Sequence, residues 1–169
     1  MLRQAREVGP AFLVPIAWTV VILAHLGVVA DSTLFVAHVV MSVLLAVFTV
    51  TGRAEMRHGA LRVWWWIVAV GFVVTVLGTV GFRLGAAGAS LQAVALFGWM
   101  LLPAVGFVDT ARRGVDRSSL YVGSAAASVL GAGVYAGGFL ATSHAVPIVG
   151  LALVGIGQTA AILDAALRS

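Results

Sequence analysis

Histidine is the residue with which this chain would most readily hold a metal or cofactor, because cysteine and lysine are both absent and no acidic residue falls in the middle of an apolar run. The lack of cysteine removes disulfides, thiolate metal sites, iron–sulfur clusters and thiol nucleophiles. The lack of lysine removes Schiff-base chemistry. Four histidines remain: His25, His38, His58 and His144. A neutral imidazole in a low-dielectric site ligates haem iron or a transition metal such as copper or zinc. His25 and His38 stand on consecutive apolar runs, each about five residues from the same end, which predicts a common depth at about 1.5 Å per helical residue. His144 and Arg83 belong to that same end, and His58 to the opposite one.

Three readings follow from this constellation. His25 and His38 could ligate a b-type haem, with Arg83 pairing a propionate. His25, His38 and His144 could instead hold a bare transition metal. The same residues, with Gln92 and Tyr135, could line a vestibule for a small solute, in which case Pro103 and the Gly137-Gly138 pair are the places where a permease would break its helices. Against all three stands the ordinary role of interfacial histidines, which is to hydrogen-bond backbone or lipid headgroups. The chain carries no nucleotide-binding, phosphate-loop or zinc-hydrolase motif, so an enzyme acting alone is not expected. A subunit without catalysis in a larger membrane complex is the remaining class.

The elements that must position these residues are membrane spans. Of 169 residues, 62% are hydrophobic and 9% charged, and the mean hydropathy is +1.10, whereas a soluble domain carries about a quarter charged residues. Apolar runs near the ~20 residues needed to cross a bilayer extend over Pro10 to Ala30, Thr33 to Thr51, Val63 to Phe82, Ala89 to Val108, Leu120 to Ala141 and Ala145 to Leu167. Short links alternate with longer charged ones. The sequence therefore predicts an all-α integral membrane protein, a six-transmembrane-helix bundle built as three consecutive hairpins within a single domain spanning residues 1–169.

Arginine placement orients it. Arg3, Arg6, Arg53, Arg57, Arg62, Arg112, Arg113, Arg117 and Arg168 fall at one end and only Arg83 at the other, which by the positive-inside rule places both termini in the cytoplasm of a cell-membrane protein. This placement also accounts for a pI near 11.1 without a nucleic-acid partner. Arg3 and Arg6 ahead of a run ending Val28-Val29-Ala30 resemble a cleaved signal, which would leave five helices. A signal core is only about 7–15 residues, and this longer run contains Trp18 and His25, so six are expected.

Packing is expected to centre on the fifth run. Gly123, Ala127 and Gly131 share a face there, and Gly157, Ala161 and Ala165 do so in the sixth. Small residues four apart let helix backbones approach in lipid. Such faces suit the bundle itself, a second copy of the chain or another membrane subunit. Trp64, Trp65 and Trp66 read as an interfacial anchor. Asp109 with Arg113 and Asp164 with Arg168 are i,i+4 ion pairs.

Overall fold

The computed structural model describes the backbone of residues 2–168 and the side chains of residues 12–168. Arg3 and Arg6, counted above among the orienting arginines, have side chains outside the described residues. Six α-helices follow one another: α1 (Leu2–His25), α2 (Asp31–Gly52), α3 (Gly59–Gly81), α4 (Ala89–Arg112), α5 (Ser118–Leu140) and α6 (Ala145–Leu167), with one 3-10 turn at Gly85–Gly88 and no strand among the described residues. Helices α2 to α6 each carry an apolar stretch long enough to cross a membrane, and the apolar part of α1 is Phe12–His25.

The first helix ends earlier than its apolar run. Gly27 takes a left-handed conformation with φ of 74°, and the Val28 N–H reaches back to the Leu23 carbonyl at 2.9 Å. This is a Schellman closure, which a glycine in that conformation permits without steric cost. His25 is thereby the last residue of α1, whereas His38 lies seven residues inside α2. The two histidines thus hold different places in their helices, one at a terminus and the other about two turns in.

Consecutive helices α2 to α6 each pack on the next, and α1 packs on α6 while barely touching α2. The most extensive seam is that between α5 and α6. A Cβ on Gly131 would stand 2.6 Å from the Gly150 carbonyl oxygen and from Val154, and one on Gly150 would stand 2.6 Å from the Tyr135 nitrogen. Backbone therefore meets backbone here, and only hydrogen fits at either Cα. Gly123 and Gly133 touch nothing within 4 Å of a Cβ position, so the α5 small-residue face used in the fold is narrower than the sequence pattern.

The core fills the space inside this arrangement with Trp18, Met100, Ala132, Tyr135, Leu151 and Val154, and a second cluster of Ala104, Phe107, Tyr121, Ala125 and Ala161 lies towards the arginine-rich end. The three tryptophans of α3 diverge, since successive helical residues point about 100° apart. Trp64 donates to Thr110 Oγ1 of α4 at 3.3 Å, Trp65 to the Thr49 carbonyl of α2 at 2.9 Å, and Trp66 is exposed.

Candidate functional site

At the end of the bundle opposite most arginines, α1, α5 and α6 border an open cavity of about 390 Å³. His25 and His144 both line it, with Thr142 and Ser143 as further polar groups and Phe139, Pro147 and Ile148 as apolar wall. Each polar group is placed by a helix end. His25 closes α1, and His144 is the residue before α6 begins. Helix α5 closes with the Ser143 N–H on the Gly138 carbonyl at 3.2 Å, which puts Thr142 in the left-handed region at φ 49°. Glycine or asparagine normally occupies that position, and a β-branched residue is strained there.

His25 is oriented on both sides. Its Nδ1 lies 2.9 Å from the Val21 carbonyl, and its Nε2 lies 2.9 Å from the Tyr135 hydroxyl. A carbonyl can only accept, so Nδ1 carries hydrogen, and in the neutral ring Nε2 accepts from the Tyr135 O–H. A backbone carbonyl on one ring nitrogen is the arrangement that presents the other to a ligand. Tyr135 itself is buried, with its ring edge-on to His25, Phe97 and Phe139.

His38 and Arg83 belong to a different neighbourhood. His38 bonds the Leu34 carbonyl through Nδ1 at 3.0 Å, meets Phe82 edge-on at 5.0 Å between centroids, and rests against the α3 backbone at Gly78, where its Nε2 lies 3.4 Å from a Cβ position. Arg83 stands over the Phe35 ring of α2 at 5.5 Å. The residues expected to share one layer thus fall into two groups, His25 with His144 between α1, α5 and α6, and His38 with Arg83 between α2 and α3. Gln92 packs at Gly81 on the α3–α4 side, apart from Tyr135. Among the described residues no group of three or more His, Asp or Glu side chains is disposed to hold a metal ion.

Two further polar constellations were only partly anticipated. Helix α4 runs unbroken through Pro103, which has no N–H to give the Trp99 carbonyl four residues earlier. Gln158 of α6 supplies the missing donor: its Nε2 reaches the Trp99 carbonyl at 3.0 Å and the Met100 carbonyl at 3.2 Å, while its Oε1 accepts from Trp18 Nε1 at 3.0 Å. One amide thus ties α1, α4 and α6. At the arginine-rich end, Asp164 is 6% exposed and accepts from Arg117 Nη1 and Arg168 Nε, both at 3.0 Å, and from the Tyr121 hydroxyl at 3.3 Å. The pair with Arg168 follows from i,i+4 spacing, whereas Arg117 and Tyr121 come from the antiparallel register of α5 on α6.

Comparison of the chain with protein-family models, with curated proteins and with solved structures finds no match.

Proposed function

We propose that this chain is a small membrane-embedded binding protein or subunit that takes a compact ligand at its outer end, in the cavity between α1, α5 and α6. The observation that carries this reading is that two imidazoles from opposite ends of the sequence, His25 and His144, open onto one cavity. Its size and mixed lining suit a ligand site, in which a few polar groups orient a ligand within apolar walls. A transition-metal ion is the ligand that two imidazoles on one cavity would favour most, with the Tyr135 phenol beside His25. A b-type haem held by His25 and His38 is the larger alternative. It is less favoured, because the two rings lie against different helices and His38 is pressed onto Gly78.

Copper or zinc titration of purified protein, read by elemental analysis and absorption, tests both forms. His25→Ala and His144→Ala should each reduce metal retention and His38→Ala should not. A Soret band lost equally in His25→Ala and His38→Ala would replace the metal reading with haem. Protein that is colourless and metal-free after loading would end both.

The orientation belongs to the same proposal. Both termini lie in the cytoplasm and the cavity faces outward across the cell membrane, supported by the arginine asymmetry. Single cysteines at Ser143 and Ser118 report it, since the chain has no other. An impermeant thiol reagent applied to intact cells should label the first and spare the second, and the reverse pattern would invert the assignment.

A further inference from the structure

A second cavity, of about 570 Å³, runs along the outside of α4 and α5 at the arginine-rich end. Its floor is made by the buried Ala104 and Ala125, and its walls include Leu101, Val105 and Val108 of α4 and Val129 of α5. Small side chains flanked by larger ones make a trough open to the surrounding lipid. From Leu101 to Arg112 the trough follows α4 for about three helical turns, or about 16 Å. That is close to one leaflet of a hydrocarbon core about 30 Å thick.

The charged end of the trough has a cation that stands outside any contact ion pair among the described residues. Asp109 and Arg112 both line it, but the Asp109 carboxylate is held by the Arg113 guanidinium through two bonds, Nε at 2.7 Å and Nη2 at 3.0 Å. Arg112 makes no ion pair among the described residues and is exposed. An apolar channel one leaflet deep, capped at headgroup level by an unpaired guanidinium, is complementary to a single amphiphile with an acidic head.

We propose that the α4–α5 trough is a binding site for one anionic phospholipid, its acyl chain against Val105 and Val129 and its phosphate at Arg112. The neighbouring Asp109–Arg113 pair keeps the mouth from repelling the phosphate, because its own charges cancel.

Native mass spectrometry of the detergent-solubilised full chain, with phosphatidylglycerol or phosphatidylcholine of identical acyl chains, tests the proposal. Phosphatidylglycerol should be retained about fivefold better, the preference expected of one arginine at an acidic lipid surface. Arg112→Gln should abolish the preference and Arg112→Lys should keep most of it. Val105→Trp, which fills the trough from an exposed position, should lower retention of both lipids. Glycerol 3-phosphate without acyl chains should not compete. Equal retention of the two lipids, a preference that survives Arg112→Gln, unchanged binding in Val105→Trp, competition by glycerol 3-phosphate, or a dimer that excludes lipid would each overturn it.

Discussion

The two ends of α5 each carry a buried tyrosine in a hydrogen bond to another helix, and they use it differently. At the arginine-rich end, Tyr121 gives its proton to Asp164, which also receives two arginines. This clasp is full: a carboxylate with three donors has little left to offer a ligand. At the other end, Tyr135 gives its proton to the ring of His25, a weaker acceptor. There the neighbours are a second imidazole and the hydroxyls of Ser143 and a strained Thr142 around open space. Ionic saturation characterises the inner end, whereas the outer end combines uncharged hydrogen bonds with backbone strain, a combination that clusters at functional sites.

The comparison is broken most severely at what both ends share. Gly131→Leu should cost about 3 kcal/mol, the upper range for overpacking, because it drives side-chain bulk into the α6 backbone. Thermal melting in detergent should fall far below wild type, and an unchanged transition would mean that α5 and α6 are not in backbone contact. Asp164→Ala should follow at about 2 kcal/mol, since it strands the Tyr121 hydroxyl and removes hydrogen bonds to a charged group. Its loss should appear in melting and leave metal or lipid retention per folded molecule unchanged.

Smaller effects sharpen the contrast. Gln158→Leu keeps the apolar volume but leaves the Trp99 carbonyl and Trp18 indole unpaired, and should lower stability by about 1 kcal/mol, in keeping with hydrogen bonds measured inside membranes. Thr142→Gly should act in the opposite direction, raising stability by about 1 kcal/mol as the left-handed strain is relieved, while loosening the cavity mouth. Tyr135→Phe should change melting least, by about 0.6 kcal/mol, yet increase metal retention because His25 Nε2 no longer holds the phenol. If Tyr135→Phe melts as low as Asp164→Ala, the outer end is a joint like the inner one and the distinction fails.

Much of the architecture is legible in the sequence because lipid imposes a simple rule on length and polarity. The six helices lie on the six apolar runs, and their ends shift by a few residues except in α1. There the apolar run says nothing of the left-handed turn at Gly27 that stops the helix. Helix faces are less legible. Run lengths group His25 and His38 by depth, but grouping needs azimuth as well. Azimuth depends on α1 packing against α6 rather than α2, its neighbour in sequence. The Asp164 clasp was half visible through Arg168, and the rest waited on α5–α6 register. The Gln158 link had a readable signal, since a proline within a helix always leaves one carbonyl four residues earlier in need of a donor.

That last link has a consequence for how the protein is made. Helix α4 leaves the ribosome with its Trp99 carbonyl orphaned, and the amide that relieves it lies 59 residues later. Trp18 waits longer still, for a partner 140 residues downstream. In hydrocarbon an unmet polar group is costly, so both early helices gain this partner only once the final span is in place. Residue 158 thus closes the assembly from its far end: a chain that stops before it lacks both the donor that the Trp99 carbonyl takes and the acceptor that the Trp18 indole takes.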